Sequence, residues 1–219
     1  GSQRTNGFIG VNAWIANYAG VEHLRLSSNA ADTDALSIVD VGLGDNLWDV
    51  SAGSAAAGSS ADLVQIDDRE SIEYSLFDTV GLFNTVPSTD VFRVHPTSLA
   101  NYAVSFTVAG DGNDTLELVG TDNADVFSHV SPTAFTVNAK QINFAPATIS
   151  TVRLLGGDQA DAFTVDLATL DLGVIDVEVN GGESSASGGT TADVLNVNVA
   201  ASVRVTQSSD ANSGTVDQT

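Results

Sequence analysis

The chain has 219 residues, 42% of them hydrophobic, and 28 acidic residues against 7 lysines and arginines give a formal net charge of −21. A surface this acidic repels phosphate backbones and anionic lipid, which argues against nucleic acid and membrane surfaces as partners. No run approaches the ~18 apolar residues of a membrane span, which argues against membrane insertion. No cysteine is present, so disulfides, zinc thiolate sites and thiol nucleophiles are excluded as well.

Short apolar stretches bounded by Gly, Asp, Asn, Ser or Pro recur along the chain and predict strands joined by turns. In chain order they are VEHLRL (21–26), ALSIVDV (35–41), DLVQI (62–66), VFRV (91–94), AVSFTV (103–108), TLELV (115–119), AFTV (134–137), QINF (141–144), TVRLL (151–155), AFTVDL (162–167), VIDVEV (174–179), VLNVNV (194–199) and SVRVTQ (202–207). Two segments, 12–19 and 70–83, fit either a short helix or an end cap. The pattern therefore predicts an all-β protein.

A degenerate unit repeats through these strands. It consists of a small residue, an aspartate, any residue and an apolar residue, with the aspartate at Asp62, Asp90, Asp114, Asp125, Asp161 and Asp193. A longer form, strand then glycine turn then aspartate, begins its turns at Gly110, Gly156 and Gly181. Repeats of this kind, with two or three short strands each, predict an elongated parallel β-helix or β-solenoid. A β-sandwich also has many short strands between turns and is the alternative.

The repeat suggests how the chain is divided. We expect residues 1–30 to form an N-terminal extension or cap. Residues 31–219 are expected to form one continuous solenoid-like domain, because the repeated unit runs through that whole range.

One copy of the unit, GDGNDTLE, resembles the nonapeptide G-G-x-G-x-D-x-U-x of RTX proteins. Gly110, Gly112, Asp114 and Leu116 match that motif, whereas Ala109 departs from its first glycine. The resemblance implies Ca²⁺ bound between adjacent turns by glycine-turn carbonyls and the aspartate. No two copies lie nine residues apart, so isolated sites are implied rather than a tandem roll. The texture also resembles the degenerate Gly/Asp-rich β-repeat regions of very large bacterial secreted and surface proteins.

Oxygen-bearing side chains concentrate in the Gly/Asp/Asn turns. Ca²⁺ takes about six to eight oxygen ligands, so converging carboxylates are the residues to expect at such a site. The candidate ligands are Asp111, Asn113, Asp114, Asp122, Asn123, Asp125, Asp158, Asp161 and Asp193. The alternative is that the same side chains stabilise the turns by hydrogen bonds to their own backbone.

Signals for catalysis are weak, and no catalytic residue is predicted. His23, His95 and His129 are far apart and are expected on strand surfaces. Arg153 and Arg204 lie in strand-like stretches and are expected to face outward, so they do not define a groove for an anionic polysaccharide. Five aromatic residues offer a sugar-stacking surface only if exposed together, and we expect core or end-cap roles for Trp14, Tyr18, Trp48, Tyr74 and Tyr102.

These observations favour a non-catalytic structural or adhesive module of a secreted or cell-surface bacterial protein, such as an adhesin stalk or filament subunit. Calcium at the Asp/Gly turns is expected to stabilise it. Self-association through its end strands and binding to a glycan or other cell-surface partner are the expected interactions. The alternative is a carbohydrate-binding or polysaccharide-processing β-helix protein.

Overall fold

A computed structural model describes residues 6–11, 14–19, 23–28, 33–40, 44–53, 61–67, 70–99, 105–169, 175–182, 193–199, 203–207 and 213–218. All regular structure in these ranges is β-strand, which confirms the all-β prediction. The strands form two ten-stranded mixed sheets, here called sheet A and sheet B.

Sheet A is ordered from one edge to the other as follows. Its strands are β18 (Val194–Asn198), β16 (Ala162–Asp166), β12 (Val126–Ser131), β13 (Ala134–Val137), β14 (Lys140–Phe144), β10 (Ser105–Ala109), β8 (Thr79–Asn84), β4 (Ala35–Asp40), β1 (Asn6–Val11) and β2 (Trp14–Ala19).

Sheet B likewise runs from strands late in the chain at one edge to strands early in the chain at the other. Its strands are β19 (Val203–Gln207), β20 (Ser213–Gln218), β17 (Asp176–Asn180), β15 (Ile149–Leu155), β11 (Asp114–Val119), β9 (Val91–Val94), β5 (Leu47–Ala52), β6 (Asp62–Ile66), β7 (Glu70–Ser75) and β3 (His23–Ser27). The strands of the first 30 residues thus lie at one end of the two sheets.

The chain alternates between the sheets over much of its length. From β8 it passes to β9 in sheet B, back to β10 in sheet A and on to β11 in sheet B. Strands from successive passes pair in parallel, as β5, β9, β11, β15 and β17 do in sheet B. Parallel rows in sheet A are β4–β8–β10–β14 and β12–β16–β18, and antiparallel segments such as β12–β13–β14 make both sheets mixed.

The predicted strands agree well with the observed ones. Three match at both ends, namely 62–66, 91–94 and 134–137. The predicted ends at 21–22, 41, 103–104, 174 and 202 lie outside the described residues. Both ambiguous segments are strands, β2 in the first and β7 with β8 in the second, so the helix alternative is wrong for their described part. The predictions missed β1, β5, β12 and β20.

The core consists of columns of apolar side chains stacked between neighbouring strands. Trp48 pairs in register with Phe92, and their ring centroids are 5.2 Å apart. In sheet A, the rings of Phe127 and Phe163 stack at 4.7 Å. All four side chains are at most 1% exposed, and burying each contributes about 1.5–3 kcal/mol. Each follows an Asp or Asn by two residues, which explains the apolar position of the repeated unit.

Candidate functional site

The aspartates of the repeated unit connect neighbouring strands in sheet A. The Asp125 N–H donates to Oδ1 of Asp161 at 2.8 Å, and the Asp161 N–H donates to Oδ1 of Asp193 at 2.9 Å. The backbone continues the same row, because the Ala162 N–H donates to the Asp125 carbonyl oxygen at 2.8 Å. Each carboxylate therefore extends the hydrogen-bond ladder one step beyond the start of its strand.

An equivalent row lies in sheet B. The Asn46 N–H donates to Oδ1 of Asp90 at 2.7 Å, and the Asp90 N–H donates to Oδ1 of Asp114 at 2.7 Å. The Thr115 N–H in turn donates to the Asp90 carbonyl oxygen at 2.9 Å. We call the two rows, Asp125–Asp161–Asp193 and Asn46–Asp90–Asp114, the aspartate ladders.

The second carboxylate oxygens differ between ladder members. Oδ2 of Asp114 accepts the Asp111 N–H at 2.7 Å, and Oδ2 of Asp125 accepts the Thr121 N–H at 2.6 Å. Oδ2 of Asp90 and of Asp161 is buried with no hydrogen-bond partner among the described residues. An unpaired oxygen in a buried carboxyl group disfavours the ionised form.

The ladder carboxyls are strongly desolvated. Asp90 and Asp161 are at most 1% exposed, and burial raises the pKa of each to about 6. Repulsion adds to the effect, from Asp114 and Asp40 at the first and from Asp125 and Asp193 at the second. The pKa of Asp114 is raised for the same first reason, burial. These groups are thus built into the protein interior rather than presented to solvent.

Glycines in the turns make room for the carboxylates. A Cβ on Gly156 would overlap Oδ2 of Asp161 and would lie 2.8 Å from the Gly181 carbonyl oxygen. A Cβ on Gly181 would lie 2.6 Å from Cγ of Asp193, and one on Gly110 would lie 2.6 Å from Cγ of Asp114. The strand–glycine–aspartate order of the sequence therefore has a steric cause.

The candidate calcium ligands fall into two groups. Asp114, Asp125, Asp161 and Asp193 accept backbone N–H groups. The contacts within a turn, at Asp114 and Asp125, match the turn-stabilising alternative, whereas those of Asp161 and Asp193 reach a neighbouring strand. The half-buried Asp111 likewise accepts the Ser88 N–H at 2.9 Å. The second group lies at the surface, with Asn113, Asp122 and Asn123 exposed and Asp158 half-buried.

The two turn clusters that are close in sequence belong to different sheets. Asp114 begins β11 in sheet B, whereas Asp125 precedes β12 in sheet A. In the described ranges, no three His, Cys, Asp or Glu side chains are grouped so as to hold a metal ion. Calcium binding at the predicted residues stays a prediction.

Sequence reasoning left Asn46 and Asp90 out of the candidate ligands, and the structure places both in a ladder. The available signal was the spacing to the core, since Asn46 precedes Trp48 as Asp90 precedes Phe92. Asp62 carries the same signal but lies in β6, paired in antiparallel register with Ala52 and Tyr74, and it is in neither ladder.

A row of ion pairs crosses the outer face of sheet B. Nε of Arg93 lies 2.8 Å from Oε2 of Glu117, and Nη1 of Arg153 lies 3.2 Å from Oε1 of the same glutamate. Nε of Arg153 also lies 2.5 Å from Oε2 of Glu178. Partly exposed pairs contribute about 0.2–1 kcal/mol each. The outward orientation predicted for Arg153 is confirmed, and the side chain of Arg204 lies outside the described ones.

The remaining described cations also have partners. Nε of Arg25 lies 2.7 Å from Oε2 of Glu73, and Nζ of Lys140 donates to the Leu99 carbonyl oxygen at 2.7 Å. An anionic polysaccharide would have to compete with these contacts for its cationic ligands. In the described part of the chain, the cationic side chains thus contact other residues of the protein.

The histidines and aromatic residues divide between surface and core. His23 is exposed and His95 half-buried, but the surface prediction is wrong for His129, which is 8% exposed and packs on Phe135 at 4.8 Å. Burial lowers the pKa of His129. Core roles are confirmed for Trp48 and Tyr74, at 0% and 1% exposure, while the side chains of Trp14, Tyr18 and Tyr102 lie outside the described ones.

Comparison of the chain with protein-family models, curated proteins and solved structures gave no match. A search of the described residues for a helix with the length and apolarity of a membrane span found none. Fold and site together define an all-β protein of two mixed sheets, whose strand starts are joined by buried aspartates.

Proposed function

We propose that this chain is a non-catalytic structural module of a secreted or cell-surface bacterial protein, built as a β-solenoid. The aspartate ladders are the observation that carries the proposal. In them, aspartate carboxylates join one pass of the chain to its neighbour, with distances of 2.7–2.9 Å between the backbone nitrogen and Oδ1.

The strand order supports the solenoid over the sandwich. Sheet B contains β5, β9, β11, β15 and β17 side by side, all parallel, while the intervening strands β8, β10, β14 and β16 lie in sheet A. Successive passes thus add to the same end of both sheets, as the coils of a solenoid do. Sandwiches are built from antiparallel sheets with Greek-key connections, in which such parallel rows do not arise.

A structural role also agrees with the contacts that the charged side chains make within the protein. The described arginines form ion pairs across the sheet face, and the ladder carboxylates accept backbone N–H groups. The ladder contacts and the Arg93–Glu117 and Arg153–Glu178 pairs each join residues that are 24 to 44 positions apart in the chain. A spacer or stalk needs such long-range ties, because each pass buries its apolar face only against its neighbours.

Amide hydrogen exchange tests this role for the ladders. We expect the amide protons of Asp90, Asp125 and Asp161 to exchange as slowly as those of the core strands, because each is buried and bonded to a carboxylate. Fast exchange at these three amides, with slow exchange in β9 and β16, would show that the ladders do not hold the passes together. Binding on a glycan array, or cleavage of pectin- or alginate-like polymers, would instead favour the carbohydrate-active alternative.

Calcium is the second part of the proposal and rests on the net charge of −21 and on the exposed turn carboxylates. We expect millimolar Ca²⁺ to raise the melting temperature relative to EDTA, because bound cations relieve the repulsion among acidic residues. Mg²⁺ at the same concentration and ionic strength is the control. An equal rise in melting temperature with both ions would mean that charge screening, and not a calcium site, stabilises the protein. No rise with Ca²⁺ would remove calcium from the proposal.

A further inference from the structure

Among the described residues, sheet A ends in a strand that pairs along one edge. β18 pairs with β16 along one edge, and it is the outermost strand of that sheet. At the same end of sheet B, the β19–β20 hairpin covers β17 with antiparallel pairing. Within the described residues the two sheets therefore terminate differently, because the β18 edge continues the parallel row and no described hairpin lies over it.

Leu195 of β18 stands at a core position but is exposed, whereas Val197 is half-buried and packs against the core. Leu195 pairs in register with Phe163, and Val197 pairs with Val165. Phe163 and Val165 are each 1% exposed, whereas Leu195 is 39% exposed. Leu195 is thus the exposed last member of an apolar column. Val194, at the start of β18, and Val199, directly after its end, are 49% and 40% exposed.

The β18 edge also lacks the features that keep sheet edges apart. Natural edge strands carry charges, prolines or bulges that prevent pairing with another chain. Residues 194–199 read VLNVNV, with neither a charge nor a proline, and β18 pairs with β16 without a register shift. In a chain of net charge −21, an uncharged edge is where a second copy meets the least repulsion.

We propose that two copies of this chain pair through β18, antiparallel across a two-fold axis at Asn196. Antiparallel pairing keeps inward-facing residues opposite inward-facing ones in every second register, and one such register places Leu195 of one copy opposite Val197 of the other. Full overlap of the five-residue strand then places the two Asn196 residues directly opposite each other. Such an isologous dimer is the commonest symmetric assembly, and it covers both open columns at once.

The charges near β18 agree with this arrangement. The antiparallel register places Asp193 of each copy opposite Val199 of the other. The two Asp193 residues are then six positions apart along the strands, about 20 Å at 3.3 Å per residue. A parallel head-to-tail stack would instead leave one β18 edge open at the end of every assembly.

A single cysteine tests the register directly, because the chain has none of its own. Residues directly opposite in antiparallel strands have Cα atoms about 4.5 or 5.5 Å apart, within disulfide range. We expect Asn196→Cys to form a covalent dimer of twice 22.4 kDa under mild oxidation. Thr164→Cys, exposed on the neighbouring strand β16, is the matched control and should remain monomeric on a non-reducing gel.

Charge substitutions give a second test on the reversible assembly. Light scattering should show a dimer for the unmodified chain and a monomer for Asn196→Lys and for Asn196→Asp, because each puts like charges opposite each other. Mixing the two variants should restore the dimer. A monomeric unmodified chain, or one that polymerises without crosslinking at Asn196→Cys, would overturn the proposal. The inference rests on the structural role proposed above, but a monomer with slowly exchanging ladder amides would remove only the dimer.

Discussion

Replacing Gly156 by alanine is expected to lower the free energy of unfolding by about 3 kcal/mol, at the upper end for overpacking a tight site. The new methyl group would overlap Oδ2 of Asp161 and press on the Gly181 carbonyl oxygen at 2.8 Å. Asp161 cannot turn away without breaking its bond to the Asp125 N–H. For a chain of this size the melting temperature should fall by roughly 6–12 °C.

A double-mutant cycle shows whether the carboxylate is the cause. In an Asp161→Ala background, the contacts of the added methyl group with Oδ2 and Cγ of Asp161 are gone and the contact with the Gly181 carbonyl oxygen remains. Gly156→Ala should therefore cost clearly less than in the unmodified chain. An equal cost in both backgrounds would contradict the idea that this glycine exists to make room for the aspartate. Asn123→Ala, at an exposed turn position, should change stability by no more than about 0.5 kcal/mol.

The second large effect concerns pH. Asp90 and Asp161 have a pKa of about 6 in the folded protein, against the ordinary value of 3.8. Between these two pH values the folded chain binds protons that the unfolded chain has released. The contribution of these carboxyls is therefore fully present below about pH 4 and is lost as the pH rises through 6. His129 acts in the opposite direction, because its lowered pKa makes the fold less stable as the pH falls below 6.5.

The Asp161→Asn variant distinguishes the contribution of the Asp161 carboxyl group to the pH dependence of stability from that of His129. The asparagine keeps an oxygen to accept the Asp125 N–H, and it carries no charge at any pH. We expect its stability relative to the unmodified chain to improve by about 1–3 kcal/mol between pH 4 and pH 7.5, in denaturant titrations at both values. Asp122→Asn removes one charge at an exposed position and is the control. A difference that does not vary with pH would mean that Asp161 is not a carboxyl group with a raised pKa.

The strands were predictable because their signal is local. Val91–Val94 and Ala134–Val137 were found at their observed bounds from a short apolar run between turn residues. β12 and β20 were missed because their sequences, VFSHVS and SGTVDQ, are too polar to predict strands alone. They are strands because neighbouring strands pair with them, β13 and β16 in one case and β17 and β19 in the other.

The aspartates show the limit of a local pattern. Asp114 and Asp125 stand close together in the sequence and are both predicted calcium ligands, yet Asp114 begins a strand of sheet B and Asp125 precedes a strand of sheet A. Their true neighbours are Asp90 and Asp161, which lie 24 and 36 residues away. Pairing over such distances depends on the register of the whole sheet, which no spacing within a single turn encodes.

The sequence by itself determined that this protein is all-β, acidic and built from a strand–glycine–aspartate unit, because strand propensity, turn chemistry and charge are local properties. The tertiary structure decided what the unit does. It stacks the apolar residue after each aspartate into a core column, turns the ladder carboxylates towards the backbone of the preceding pass, and needs the glycine for space. Those roles arise only when strands from successive passes lie side by side.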